Sequence, residues 1–297
     1  MTAQRASLYL IAGGAMWGLY WLPLLYLQQA GLPGAWAGIA LYVGCLVVLL
    51  PVAWHYRTTF TTHWRLLLFS GMLTGCAFSL YTTSFSYTDV IRAILLFYLT
   101  PVWGTLIGLA FLRERLTAAR LGVLILAFLG LYVILGNDTG WPLPRNLGDV
   151  LALLSGIFWA AGSFGILQAQ RVPVWPQIIS FLAGSLIISI LSSWLIGDWP
   201  VLTFTPAQLT HIGLFLAVFI GLALPMFWLT LAPARVLTPA RVGILLMSEV
   251  VIGAVSALLL SGQPFGMPEL IGTILIILAA LVEVKGAGHA PAVPDTN

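Results

Sequence analysis

The run Ser7-Leu8-Tyr9-Leu10-Ile11-Ala12-Gly13-Gly14-Ala15-Met16-Trp17-Gly18-Leu19-Tyr20-Trp21-Leu22-Pro23-Leu24-Leu25-Tyr26-Leu27 contains no charged side chain. About 20 consecutive apolar residues, wound as a helix, cross the hydrocarbon core of a bilayer. The stretch follows Arg5, is too long for a signal-peptide core and has no clear small-residue cleavage site, so it reads as a retained first span. The rest of the chain repeats the pattern. Of the 297 residues, 60% are hydrophobic and 7% charged, with mean hydropathy +1.03. A soluble domain carries about 25% charged residues because its surface faces water. Such a chain cannot cover a globular surface with ions, and in lipid it need not.

Windows of that length predict an all-α membrane protein of ten spans, at 7–27, 35–54, 64–85, 89–112, 121–135, 148–168, 175–196, 209–231, 239–261 and 269–284. Turn-forming residues fall between them, at Gly31-Leu32-Pro33-Gly34, Trp141-Pro142-Leu143-Pro144, Trp199-Pro200 and Pro264–Pro268. The polar tail 286–297 reads as disordered and cytoplasmic. Charge tests the count. With a cytoplasmic N-terminus, Arg5, Arg57, Arg65, Arg113, Arg115, Arg120, Arg171, Arg235, Arg241 and Lys285 lie inside, and only Arg92 and Arg145 lie outside. That bias follows the positive-inside rule and puts both termini in the cytoplasm. Net charge +3 therefore sets orientation rather than binding nucleic acid. Cys45 and Cys76 sit in apolar runs and read as small packing residues.

An internal repeat underlies the ten spans. Gly14, Trp17, Gly18 and Trp21 align at an offset of 142 with Gly156, Trp159, Ala160 and Ser163. Gly71, Gly75 and Thr82 align at 146 with Ala217, Gly221 and Trp228, and Arg92 and Gly104 align at 149 with Arg241 and Gly253. Five spans per copy is an odd number, so the second copy (139–285) enters the membrane from the side opposite the first (1–138). Inverted repeats of this kind characterise secondary transporters, whose substrates bind near the midplane between the halves.

The segments Leu99-Thr100-Pro101-Val102 and Leu112-Arg113-Glu114-Arg115-Leu116-Thr117, followed by Gly122 and Gly130, resemble the hallmark of the EamA-type, ten-helix branch of the drug/metabolite transporter superfamily. Trp17-Gly18 in the first span fits the same pattern. Within the superfamily the chain most resembles YddG-type exporters of aromatic amino acids. The second copy departs from the pattern: Ser248-Glu249-Val250 replaces a proline-containing segment, and Gln263-Pro264 replaces an acidic loop residue. The resemblance implies alternating-access export of a small organic metabolite, an aromatic or other hydrophobic amino acid first, from a bacterial inner membrane by a monomer without cofactor. Other metabolites or amphipathic drugs are the alternative within transport. The first span lacks the glutamate that small four-helix antiporters of the superfamily share between proton and cation. An intramembrane enzyme or channel is the contrasting class, but His-Glu-x-x-His, Gly-x-Ser-x-Gly, paired intramembrane acids and rings of charge are absent from the sequence.

Candidate site residues follow from what does not belong in hydrocarbon. Glu249 is the one acid near the middle of a predicted span, where such a residue faces protein or a wet cavity. It reads either as a proton-coupling site or substrate-amine contact, or as a neutral carboxyl that helps the ninth span pack. Trp17, Trp21, Tyr81, Tyr98, Trp159 and Trp228 lie within spans rather than at the interfacial belts, with Ser163 and Ser248 beside them. Aromatic faces suit an organic substrate through stacking or cation–π contact, although each ring taken alone reads rather as packing against lipid or neighbouring helices. Pro23, Pro101 and Pro225 interrupt spans and are candidate hinges or static kinks. Gly14/Gly18, Gly71/Gly75 and Gly104/Gly108 predict close helix approach. Arg92 is expected to pair with Asp89, one turn earlier. No metal-ligand spacing is present.

Overall fold

Lipid offers the backbone no hydrogen-bond partner, so an apolar segment must satisfy its own amides, and a helix does so within one segment. The computed structural model describes residues 2–33, 35–111, 118–136, 144–168, 172–197, 199, 204–234, 237, 239–262 and 266–287. Their regular structure is entirely helical. Helices α1 (Ala3–Gly18) and α2 (Trp21–Gln29) occupy the first predicted interval, and α3 (Trp36–Val48) and α4 (Leu50–His55) the second. A short connector, α5 (Arg57–Thr62), leads to α6 (Trp64–Ser84), then to α7 (Val90–Phe97) and α8 (Thr100–Phe111) in the fourth interval, and to α9 (Ala118–Gly136) in the fifth. The remaining five intervals hold α10 (Leu147–Gln168), α11 (Val174–Ile196), α12 (Pro206–Ala234), α13 (Pro239–Leu260) and α14 (Met267–Ala287). Among the described residues, 5 helical stretches are long and apolar enough to cross a membrane: Ala3–Gln29, Trp64–Ser84, Val90–Ile107, Val174–Ile196 and Pro206–Pro233. Trp36–Val48, Leu121–Gly130, Leu147–Ser163, Ser248–Leu260 and Met267–Ala279 are shorter apolar helices.

Two of the expected proline interruptions coincide with breaks. Pro23 can donate nothing to the carbonyl of Leu19, and α1 gives way to α2 at Leu19 and Tyr20. Pro101 likewise leaves the carbonyl of Phe97 without its helical donor, and α7 stops there. The Thr100 hydroxyl fills the vacancy, donating to that carbonyl at 2.6 Å. Pro225, by contrast, lies within α12, which continues through it.

Helix packing depends on residues without side chains. α6 lies between α10 and α11. A Cβ on Gly71 would stand 2.6 Å from the Ser180 carbonyl, and one on Gly165 would stand 2.8 Å from Ser70. α1 packs on α12 and α13, where a Cβ on Gly18 would come within 2.7 Å of the Glu249 carbonyl and the Gly253 amide. These contacts match the small-residue reading, with one correction: a Cβ on Gly104 would meet nothing within 4 Å.

Large apolar side chains cover the outer surface; on α12 alone Leu214 and Val218 are 65% and 64% exposed. Soluble monomers rarely show apolar surface of that extent, and lipid is its natural partner. Trp54, Trp64, Trp194 and Trp199, near helix ends, are exposed, and Arg57 and Arg65 lie over the rings of Trp54 and Trp64. Cys45 and Cys76 are free thiols.

The pairing expected for Arg92 is corrected. Its partner is Asp149 on α10, at 2.6 Å, not Asp89 on its own helix. Asp89 is the residue preceding α7, in extended conformation, so it is not one helical turn below Arg92 on a shared face. The Leu112–Thr117 segment, Gln263-Pro264 and nearly all of the 286–297 tail lie outside the described residues.

Candidate functional site

Where α1, α6, α7, α8, α10, α12 and α13 converge, they leave a cavity of about 170 Å³. Its wall takes Trp17 from α1, Phe78 and Tyr81 from α6, Phe97 and Tyr98 from the end of α7, and Thr100 from α8. Trp159 of α10, Thr230 of α12, and Leu246 and Glu249 of α13 complete it. Phe97, Tyr98 and Thr100, the residues around the break before Pro101, all line this one void.

The aromatic rings form a continuous lining. Trp17 meets Phe78 edge-on at 5.1 Å and Phe227 at 5.6 Å. Tyr81 lies 4.6 Å from Phe97, and Phe97 lies 6.1 Å from Trp159. Offset and edge-to-face pairs of this kind each add roughly 0.5–1.5 kcal/mol beyond area burial, so the wall is preorganised. The polar ends have partners: Trp17 Nε1 donates to Thr230 Oγ1 at 2.9 Å, and Thr230 in turn donates to the Met226 carbonyl at 2.9 Å. Glu249 contributes the one acidic side chain among the lining residues, and no basic side chain is among them. It is half-buried and lines the void beside Tyr98. The same residue's backbone is where Gly18 seats α1.

A second void, of about 50 Å³, shares Trp17, Trp159 and Thr230 with the first. Beyond those three it runs between α6, α10, α11 and α12, past Ser70, Thr74, Gln177 and Phe227. Trp17 and Trp159 therefore line both a central chamber and a narrower one.

Five of the residues singled out in the sequence meet at the central cavity: Trp17, Tyr81, Tyr98, Trp159 and Glu249. The others lie elsewhere among the described contacts. Trp21 is buried and donates to Ser256 Oγ at 3.0 Å, tying α2 to α13. The Ser163 hydroxyl donates to the Trp159 carbonyl one turn back. Ser248 packs against Gly14 and donates to the Leu245 carbonyl at 2.8 Å. Trp228 faces Tyr9, with ring centroids 6.2 Å apart. Pro23 borders an apolar groove between α2 and α12, and Pro225 is exposed. Pro101 is placed by its backbone alone. Phe78, Phe97, Thr100, Thr230 and Leu246 were not anticipated. Phe97 and Thr100 flank Tyr98 beside Pro101 and were within reach of the same reasoning, whereas nothing local marks Thr230 as the partner of a tryptophan 213 positions away.

Comparison with known proteins then bears on this geometry. Residues 4–136 match the EamA-like transporter family. This EamA-like domain runs from α1 to the end of α9, and with it the exposed apolar helices are those of a multi-pass membrane protein. The matched model is that of a transporter family. No curated protein sequence matches the chain significantly. Among 16 matching solved chains, one crystal structure of a protein aligns over 97% of this chain and 99% of its own, with TM-score 0.60 and 17% identity. At that identity the likeness is one of fold, and it extends well beyond the EamA-like domain into the second half of the chain. Among the described residues, no group of three His, Cys, Asp or Glu side chains is placed to hold a metal ion.

Proposed function

We propose that this protein is a secondary transporter of the bacterial inner membrane that exports small organic metabolites, first aromatic or other hydrophobic amino acids. It would work as a monomer, by alternating access through the central cavity between two inverted five-span repeats. The observation that carries the reading is the aromatic-walled cavity with a single carboxyl at its edge. Aromatic faces hold an apolar or aromatic body, and Glu249 is placed to meet a substrate amine or a coupling proton. A nucleotide-linked sugar would need cationic side chains, and none is among the described residues that line this cavity.

The arrangement of helices supports the repeat. A shift of five spans exchanges α6 beside α10 with α12 beside α1, and α6 beside α11 with α12 beside α3; both members of each pair are in contact. The same shift exchanges α1 beside α13 with α10 beside α7 and α8, again all in contact. Trp17 and Trp159, related by that shift, both reach the cavity.

The described lining, which holds an acid and no base, favours a second reading, an amphipathic amine without a carboxylate. Counterflow in proteoliposomes, with and without an imposed proton gradient, separates the two. Saturable exchange of phenylalanine, tyrosine or tryptophan supports the amino-acid reading. Exchange confined to the corresponding decarboxylated arylalkylamines supports the second. Failure of both panels in folded protein rejects the substrate assignment.

A further inference from the structure

We infer that α7 is the outer gate of the transport path, held shut by the Arg92–Asp149 ion pair. The inference rests on the transporter reading and on a cytoplasmic N-terminus, which together place the start of α7 and the start of α10 at the outer surface.

Asp149 has no exposed side-chain surface and Arg92 has 8%. The carboxylate accepts from Arg92 Nη2 at 2.6 Å and Nε at 3.3 Å, from Thr88 Oγ1 at 2.6 Å, and from the Arg145 amide at 3.0 Å. Bidentate guanidinium pairing of this kind fixes orientation as well as distance. Its location gives it a mechanical role. Arg92 is on α7, six positions before Tyr98, about 9 Å along a helix rising 1.5 Å per residue. Asp149 is on α10, ten positions before Trp159, about 15 Å by the same rise. The latch therefore joins the outer ends of the two helices whose deeper residues wall the cavity.

Between latch and cavity the described side chains are closely packed. Ala93, Ile94, Leu95, Leu96 and Ala152 are all buried. Deeper still, a Cβ on Gly156 would stand 2.9 Å from the Phe97 carbonyl. On the opposite side the void continues past Trp17 and Trp159 into the second compartment. Packed side chains thus stand on the outer side of the cavity, and the void extends inward. α7 is only 8 residues long, and it ends where Pro101 interrupts the backbone, at the C-cap residue Tyr98, which lines the cavity beside Glu249. A short rod pinned at one end and hinged beside the binding residues is suited to swing outward when the pin is drawn.

The device is one-sided. In the repeat, Arg92 aligns with Arg241, but the counterpart of Asp149 at the 142 offset is Ser7, which cannot supply a charge. The acid of the outer latch therefore has no counterpart at the aligned position.

The test reads the accessibility of the cavity rather than transport. A chain carrying Cys45→Ala, Cys76→Ser and Leu246→Cys, reconstituted in oriented vesicles, is reacted with a membrane-impermeant thiol reagent applied to either face. Faster modification from the cytoplasmic face is expected with Asp149 intact. Asp149→Asn should raise the outer-to-inner rate ratio at least about ten-fold, since a ten-fold shift of a two-state equilibrium needs only about 1.4 kcal/mol. Thr88→Val, which removes one donor and keeps the pair, should move the ratio in the same direction by less, and it serves if Asp149→Asn does not fold. A simple structural brace would lower the melting temperature without moving the ratio. An unchanged ratio in folded protein, or a shift toward the inner face, overturns the gate. Because no substrate is used, a failed substrate panel leaves this result readable.

Discussion

Glu249 is approached from three directions: Tyr98 beside it, Gly18 at its backbone, and the cavity in front of it. Replacing it by Gln preserves its shape and its polar character and removes the ability to ionise. Glu249→Gln should leave the melting temperature within a few degrees and reduce gradient-driven substrate accumulation at least about ten-fold, a loss of about 1.4 kcal/mol in coupling. Unchanged accumulation would make Glu249 a packing carboxyl. Trp17 poses a different question, because its indole both walls the cavity and donates to Thr230. Trp17→Phe keeps the ring and loses the donor, so KM for exchange should rise about five-fold, equivalent to a net hydrogen bond of about 1 kcal/mol. Thr230→Val should do the same. The double variant should be little worse than either, since the two side chains share one bond; additive losses would show that they act separately.

Among the elements, α7 and α8 carry the clearest local logic. Pro101 removes a donor, the Phe97 carbonyl is left over, and Thr100 restores the partner at 2.6 Å. Thr100→Val should cost about 1–3 kcal/mol, the penalty for a buried carbonyl without a donor, and should be read as a lower melting temperature in detergent. Thr100→Ser should hold near the parent value. The seam between α6 and α11 permits a second comparison. A Cβ on Gly75 would run into the Gly184 and Ser185 backbones, while one on Gly104 has room. Gly75→Ala should therefore lower folded yield and melting temperature by an overpacking cost of about 1–3 kcal/mol, and Gly104→Ala should not. These elements also show what a sequence exposes. Apolar runs and punctuating residues located the helical intervals, because span length and proline chemistry are local properties. The cavity was half visible: Trp17, Tyr81, Tyr98, Trp159 and Glu249 stood out as residue types unsuited to lipid. Phe78 and Leu246 did not, since an apolar side chain looks the same facing lipid, core or cavity. The error at Arg92 has the same origin. Spacing offered Asp89, but the acid that pairs with it is 57 positions away.

At the scale of the molecule, orientation is the property on which the export reading depends. Reporter fusions at the N-terminus and after Ala287 should both report a cytoplasmic location; opposite locations would mean an odd number of spans and would dissolve the repeat. The interleaving of the two halves has a consequence for how the chain is made. α6 has its glycine-seated partners, α10 and α11, in the second half, and α1 finds α12 and α13 there as well. As the polypeptide leaves the ribosome, the first half must therefore wait in the bilayer with its close-packing faces against lipid until the later helices arrive. Insertion order and assembly order differ, and the EamA-like half released alone would be a substrate for membrane proteases rather than a working unit. Supplying residues 139–297 as a separate chain at the moment of synthesis should rescue it.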